Sequence, residues 1–256
     1  MTFTGLIGAA CYWPLRLIIA ACVRLGIHPN LLTFTGVLIN IAAGWALARG
    51  HFLTAGVIMI VANIFDFIDG KVATETGAAS KFGGFWDSVI DRFSDLALFI
   101  GLVYLYSSMH RTDYVMVAAI ALTFSIMTSY ARARAESIIA KCKVGFMERP
   151  ERIVLFMIGA FTDRMAAVLW VILVLSIVTV ANRIYYTYLV LNAKAMPAGG
   201  NPVSNVVWRA LFWRDDRGTV PYDLWVIAIL AFVWLTPPDW LGDPTASGLG
   251  VWSLFR

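Results

Sequence analysis

The sequence predicts an all-α, polytopic membrane protein with a six-transmembrane-helix core, an N-terminal interfacial helix and a C-terminal extension carrying a candidate seventh span. Three observations predict it. Of 256 residues, 60% are apolar and only 14% charged, whereas an ordinary soluble domain is about half apolar. The apolar residues come in successive blocks, several of them near the roughly 20 residues of helix that a bilayer crossing takes. The basic residues also alternate in density from one inter-block loop to the next, as the positive-inside rule requires. The reading assigns residues 1–191 to a membrane domain and 192–256 to an extension of unassigned role.

Residues 3–25 lack the basic opening and apolar run of a cleaved signal peptide. With Trp13, Pro14, Arg16 and Arg24 among small and apolar residues, they read as a helix lying on the cytosolic leaflet. The core spans follow at 31–48, 52–70, 84–107, 113–131, 148–162 and 164–190, and the candidate seventh at 222–236. Gly26–Asn30, Arg49–His51, Ser107–Asp113 and Thr162–Arg164 supply turns. Asp163 and Arg164 favour a hairpin between the fifth and sixth spans over one long helix, because a charged pair at mid-bilayer is costly.

One side of the bundle gathers Arg16, Arg24, Lys71, Lys81, Arg132, Arg134, Lys141, Lys143, Arg149, Arg152, Arg183 and Lys194. The loops between core spans on the other side hold only Arg49, Arg111 and Arg164, so the first side is cytosolic. The expected location is the inner or plasma membrane, multi-pass. Cys11, Cys22 and Cys142 show no metal or redox spacing and read as small packing residues. His28, His51 and His110 are scattered and offer no histidine metal site. After Lys194 the chain turns rich in Gly, Pro and Asn, with a charged cluster at Arg214, Asp215, Asp216 and Arg217.

The chemistry is concentrated in Asp66-x2-Asp69-Gly70-x2-Ala73-Thr74-x8-Gly83-x3-Asp87-x3-Asp91. At about 100° per residue, Asp66 and Asp69 lie about 60° apart on one helix, and Asp87 and Asp91 about 40° apart on the next. The short polar connection makes the two helices antiparallel neighbours, so four carboxylates converge near the cytosolic boundary. A single intramembrane Asp can be a satisfied structural residue. Four cost roughly 2.5–3.5 kcal/mol each by insertion scales, less near the interface, and they repel one another. Lys71, Lys81 and Arg92 do not obviously neutralise the set, whereas hard divalent cations do so through oxygen ligands. Gly70 and Gly83, where the chain leaves and re-enters the helices, let a bulky ligand approach the backbone. Gly84, Gly101 and Gly159 read as helix-packing glycines.

This pattern resembles the signature of the CDP-alcohol phosphotransferases, D-x2-D-G-x2-A-R-x8-G-x3-D-x3-D, at seven of eight fixed positions with the spacing intact. The exception is Thr74, where the family usually has arginine; Lys71 or Lys81 is the candidate replacement. The resemblance extends to Pro29-Asn30-x2-Thr33 and covers roughly residues 10–190. It implies transfer of a phosphatidyl group from a CDP-linked lipid, CDP-diacylglycerol, to an acceptor hydroxyl with release of CMP. It implies Mg²⁺ or Mn²⁺, two ions, on Asp66, Asp69 and Asp87. Asp91 is a ligand or the general base, and its position a helical turn deeper than Asp87 favours the base. The donor contacts implied are Asn30, Thr33, Asp69, Gly70, Ala73, Thr74 and Gly83. Family members commonly form homodimers, and no nucleic-acid partner is expected.

Two further segments, Tyr130-Ala-Arg132-Ala-Arg134-Ala-Glu136 and Glu148-Arg149-Pro150-Glu151-Arg152, resemble those of the phosphatidylinositol phosphate synthases and their archaeal relatives. That likeness implies inositol 1-phosphate as acceptor, its phosphate held by Arg132, Arg152 and Arg183. Each of these arginines can instead be a topology signal or a headgroup contact, and Arg134 can pair with Glu136 or a neighbour. Phosphatidylglycerophosphate synthases, using glycerol 3-phosphate, need equal basicity and remain the alternative. A membrane prenyltransferase needs a second aspartate-rich motif on a much later helix, and none is found. A cation or proton transporter using an aspartate relay is favoured by broken helices or half-sequence repeats, and neither is visible.

Overall fold

The structure, a computed structural model, describes residues 15–194, 201, 205, 208, 212, 213 and 219–246. The regular structure among them is entirely helical. In chain order it comprises α1 (residues 15–24), α2 (Pro29–Ala48), α3 (Phe52–Glu75), α4 (Lys81–Ser108), α5 (Thr112–Glu136), α6 (Arg149–Thr162), α7 (Met165–Leu191), α8 (Val220–Leu235) and the short α9 (Pro238–Leu241). Trp13, Pro14, Cys11 and the Arg214–Arg217 cluster lie outside the described residues.

Local chemistry sets the helix ends. Pro29 opens α2, where a missing N–H costs nothing. Ser80 caps α4 by accepting a hydrogen bond from the Gly83 amide at 3.0 Å. The fifth and sixth spans form the expected hairpin. Asp163 closes α6 in the left-handed region (φ 59°), and α7 begins two residues later.

α2 packs against α3 and α4, α4 against α5, and α5 against α7, while α6 bridges α3 and α7. The main core, with Leu47, Met59, Leu98, Phe99, Phe156 and Ile172, runs through all six of these helices. A smaller cluster joins Ile19 and Cys22 of α1 to Leu32, Ile68 and Val72. The α2–α4 crossing is the tightest. A Cβ on Gly44 would run into the Ala97 carbonyl, and one on Gly101 into the Gly44 carbonyl. Small residues four apart let two helix backbones touch in this way. Gly159 packs similarly against Met165 and Val168, but a Cβ on Gly84 would meet nothing within 4 Å. Gly84 is therefore not the packing residue the sequence suggests.

One expectation changes. α3 continues through Gly70 to Glu75, so Gly70 lies inside a helix rather than at its exit. Burial of Ile68, Asp69 and Val72 around it outweighs a glycine's helix penalty of about 1 kcal/mol. By length and composition alone, α2, α3, α5 and α7 are four candidate spans among the described residues. α4 has 28 residues but carries Asp87, Asp91, Arg92 and Asp95 in its first half. α6, with 14 residues, and α8, with 16, are short for a bilayer that needs roughly 20. Leu38, Trp45, Ile100, Tyr104 and Val174 are exposed along the bundle, as suits a multi-pass protein whose solvent is lipid.

Substituting Gly101→Val overpacks the α2–α4 crossing, and about 1–3 kcal/mol of stability is lost. Thermal unfolding in detergent will show a lower Tm for it and an unchanged Tm for Gly84→Ala. Equal Tm values for Gly101→Val and the parent protein would contradict the crossing.

Candidate active site

α3 and α4 follow one another through a turn at residues 76–80, but each packs against α2 rather than extensively against the other, so they are not the packed neighbours the sequence suggests. They still bring one carboxylate oxygen each of Asp66, Asp87 and Asp91 within 4.8 Å of one another. At that separation, two like charges repel by about 3–4 kcal/mol at an effective dielectric of 20. Asp69 stands outside this trio. It is buried, and its Oδ2 accepts a 2.5 Å hydrogen bond from Thr33 Oγ1 on α2. It remains close enough to interact with the charges of Asp66 and Asp87.

Arg149, the first residue of α6, answers the trio. Its Nη1 donates to Asp66 Oδ2 at 2.7 Å and lies 2.9 Å from Asp91 Oδ1. Arg92 flanks the same acid, 3.7 Å from Asp91 Oδ2. Sequence reasoning did not single out Arg149 as an acid partner. It sits in the Glu148–Arg152 segment, and only the folded chain reveals a contact across 83 residues.

The donor set suits a hard divalent cation. It consists of carboxylate oxygens with no nitrogen or sulfur. At about 2.0–2.1 Å per bond, two oxygens on one Mg²⁺ sit at most roughly 4.2 Å apart. Only one pair of the three oxygens can sit opposite each other on such an ion; the other pairs close to roughly 3 Å, so the trio draws together when it shares one.

Around the trio, Gly70 is exposed with open space where a Cβ would be. Gly83, in the first turn of α4, faces Asn30 Oδ1, which ties the start of α2 to this mouth. Thr74 Oγ1 donates to the Gly70 carbonyl at 2.8 Å. Lys71 lies over the Phe67 ring. Ala73 is half-buried and Lys81 exposed on the same rim.

The three arginines assigned to the acceptor phosphate converge, each holding protein partners. Arg152 is fully buried, pairs with Asp95 Oδ2 at 2.5 Å and donates to Thr128 Oγ1. Arg183, also buried, donates to the Thr128 and Val144 carbonyls and lies 3.2 Å from Glu148 Oε1. Arg132 reaches the same Glu148 oxygen at 2.9 Å and Glu136 at 3.1 Å. Arg134 donates to Ser137 rather than to Glu136. Sequence reasoning missed Asp95 and Glu148, the two acids that organise this layer. Asp95 does lie four residues beyond Asp91 on the same helix face. Burial pushes the nearby Cys142 thiol up, in keeping with a packing cysteine.

The comparisons with known proteins point to one family. The CDP-alcohol phosphatidyltransferase family matches residues 26–184. The archaetidylinositol phosphate synthase of Pyrococcus horikoshii is 36% identical over 173 residues, 67% of this chain and 89% of that protein. The phosphatidylinositol phosphate synthase of Mycobacteroides abscessus is 31% identical over 175 residues, 65% of this chain and 80% of the relative. Among solved structures, the Mycobacterium tuberculosis phosphatidylinositol phosphate synthase with CDP-DAG bound superposes with a TM-score of 0.64 at 28% identity. That match covers 68% of this chain and 93% of that one. The same enzyme with manganese and citrate also gives 0.64, at 27% identity, covering 75% and 98%.

Two outcomes follow for the arginines. Arg149→Gln removes a positive charge from Asp66 and Asp91, so the metal-free protein unfolds at lower temperature. The Mn²⁺-induced rise in Tm then exceeds the wild-type rise, because the ion no longer displaces a guanidinium. An identical Mn²⁺ increment in both proteins would contradict this. Arg152→Ala leaves the buried Asp95 with only the longer contact to Arg149, 3.8 Å from Nε to Oδ1, and costs up to about 3–5 kcal/mol. The pair Arg152→Met with Asp95→Leu recovers much of that loss in thermal unfolding; no recovery would show that charge is not the cause.

Proposed function

This chain belongs to the CDP-alcohol phosphatidyltransferase family, and from that premise we propose that it transfers a phosphatidyl group from CDP-diacylglycerol to the hydroxyl of inositol 1-phosphate. The products are a phosphatidylinositol phosphate and CMP. The observation that carries the acceptor assignment is the arginine layer of α5, α6 and α7 beside the aspartate trio. It is basic, partly buried and on the α4 face next to Asp91. The family match spans the residues that build it, and relatives named as inositol phosphate synthases are 36% and 31% identical to this chain. Phosphatidylglycerophosphate synthesis, with glycerol 3-phosphate, is the second reading, because the same basicity suits it.

The residues divide the work. Asp66, Asp87 and Asp91 hold divalent metal, with Asp69 kept in place by Thr33. When bound, the metal neutralises the donor pyrophosphate and stabilises the leaving CMP oxygen. Gly70, Ala73, Thr74, Gly83 and Asn30 line the donor side, where small side chains leave the mouth open. The acceptor hydroxyl oxygen attacks the lipid-bearing phosphorus, the bond to CMP breaks, and the hydroxyl proton passes to Asp91. Arg132, Arg152 and Arg183 orient the acceptor, the exposed face of this layer being contributed by Arg132.

In this reading all six helices α2–α7 cross the bilayer, α4 and α6 despite their charge and length, because their polar ends meet each other rather than lipid. α1 lies on the cytosolic leaflet, and the trio opens to the cytoplasm, the side richest in Lys and Arg. CDP-linked donors and phosphorylated polyols are both met on that side.

An acceptor panel with CDP-diacylglycerol tests the assignment. CMP release is expected with inositol 1-phosphate, weaker with glycerol 3-phosphate, and absent with serine or free inositol. EDTA abolishes it and Mn²⁺ or Mg²⁺ restores it. Asp91→Asn lowers kcat by about 10²–10⁴ while CDP-diacylglycerol still binds. Turnover of free inositol or serine in preference to the phosphorylated acceptors would overturn the acceptor reading. Full activity of Asp91→Asn would remove its role as base.

A further inference from the structure

The family match ends at residue 184, and the helix beyond it, α8, forms one wall of a cavity of about 560 Å³. That volume falls within the roughly 300–1,000 Å³ usual for a ligand pocket. The opposite wall is a stripe of α7 with a spacing of four residues: Trp170, Val174, Val178 and Asn182. α8 contributes Trp225, Ala228, Ile229 and Phe232, again from one helix face. Phe146 and Trp213 line the end near Thr179, their ring centroids 4.2 Å apart.

α8 is tied down at both ends, so its middle is not free to settle onto α7. At its start the Tyr222 hydroxyl donates to Glu151 Oε1 at 3.1 Å. Past its end, Arg164 donates to the Thr236 carbonyl at 3.2 Å and Tyr114 to the Leu241 carbonyl at 2.6 Å. Between these ties Ala228 presents only a methyl group to the gap. Water is a poor filling, because a buried water takes two to four polar partners. Apart from indole N–H groups, only Thr179 and Asn182 bring polar side-chain atoms to the lining. Thr179 Oγ1 already accepts the Met147 amide at 3.1 Å.

Shape decides what enters. From Trp170 to Asn182 α7 rises about 18 Å, close to the roughly 15 Å of hydrocarbon in one leaflet. Spread over that length, the volume makes a channel about 6 Å across, too narrow for a helix roughly 10–12 Å wide. One extended hydrocarbon chain fits. The polar atoms of Thr179 and Asn182 gather at one end, which suits a chain that carries an ester at one end and a methyl at the other. The groove also opens toward lipid. Val174 and Phe232 are 51% and 44% exposed, and the outer face of α8 presents Leu224 and Ile227.

We infer that the groove between α7 and α8 binds one acyl chain of a bulk membrane phospholipid, with the ester end at Asn182 and the methyl end toward Trp170. The donor lipid is a different molecule, because the donor side is built from α2, α3 and α4, and none of their residues lines the groove. The bound chain fills the gap and fastens the C-terminal segment to the bundle. The site is independent of which acceptor the active centre uses.

The test places the full-length protein in phosphatidylcholine nanodiscs that carry a trace of phosphatidylcholine with a diazirine on one acyl chain. After irradiation, peptide mass spectrometry maps the adducts. A diazirine at the chain terminus labels Trp170 and Phe232, and one near the ester labels Asn182 and Trp225. Both labels exceed several-fold those on Ile100 and Tyr104, which are exposed on α4. Ala228→Trp and Val178→Phe narrow the groove from its two walls, and each loses the excess while Ile100 and Tyr104 label as before. Phosphatidylcholine added to the delipidated protein in detergent raises its Tm, and raises that of the two variants less. If either variant fails to fold, the wild-type adduct pattern decides. Groove labelling no greater than that of Ile100 and Tyr104 would reduce the site to ordinary lipid contact and overturn the inference. An unlabelled groove beside labelled Ile100 and Tyr104 would mean that protein, from this chain or a second copy, covers it. Loss of the groove adducts on adding CDP-diacylglycerol would give the site to the donor instead. Each of these last two results also overturns it.

Discussion

The mutual repulsion of Asp66, Asp87 and Asp91 is the constraint around which the rest of the molecule is arranged. Three carboxylate oxygens within 4.8 Å of one another, at the edge of an apolar bundle, do not remain together unaided. Positive charge must be delivered to them, from an ion or from the protein. α6 delivers it in the form of Arg149, and to do so the helix must start at the level of the trio. Its short length follows. A helix of 14 residues that begins there and ends in a tight left-handed turn at Asp163 has no turn to spare.

The carboxylates also need rigid backbones, because a shift of about 1 Å separates a shared site from four independent acids. α3 and α4 carry the acids, and α2 fixes both. The Gly44–Ala97–Gly101 crossing brings α2 and α4 to backbone contact, and Thr33 reaches from α2 to hold Asp69. The glycines and the aspartates are thus parts of one device: close packing of α2 supplies the stiffness that the charge cluster strains against.

How much of this was legible in the sequence depended on range. The i, i+3 and i, i+4 aspartates, the polar turn between them and the Asp163 hairpin are local patterns, and periodicity brings Asp66, Asp87 and Asp91 together but does not foresee that Asp69 turns to Thr33. Arg149, Arg152 and Arg183 were visible as basic residues on one side, but topology and ligand binding place bases on the same side. Their partners Asp66, Asp95 and Glu148 are 83, 57 and 35 residues away, beyond any periodicity. Apolar content and length alone single out α2, α3, α5 and α7 as candidate spans; α4 and α6 carry charges that pair with each other at the site, through Arg149 with Asp91 and Arg152 with Asp95. Gly70 misled because a lone glycine reads as a helix end, when buried neighbours on both sides carry the helix through it.

Under the function proposed above, the buried pairing of Arg152 with Asp95 bears on how an acceptor would be selected. A guanidinium that is fully covered and paired contributes field more than contact, since desolvation has already been compensated by its own carboxylate. Arg132 differs: it is partly exposed and shares Glu148 with Arg183. An incoming phosphate can compete for Arg132 by displacing one carboxylate oxygen, whereas reaching Arg152 requires opening a core pair. Discrimination between acceptors then depends on how firmly Glu148 is held, and Glu148 is the residue on which α5, α6 and α7 meet. A layer whose arginines are already paired with Asp95, Glu136 and Glu148 gives up those pairs more readily to a charged ligand than to an uncharged one.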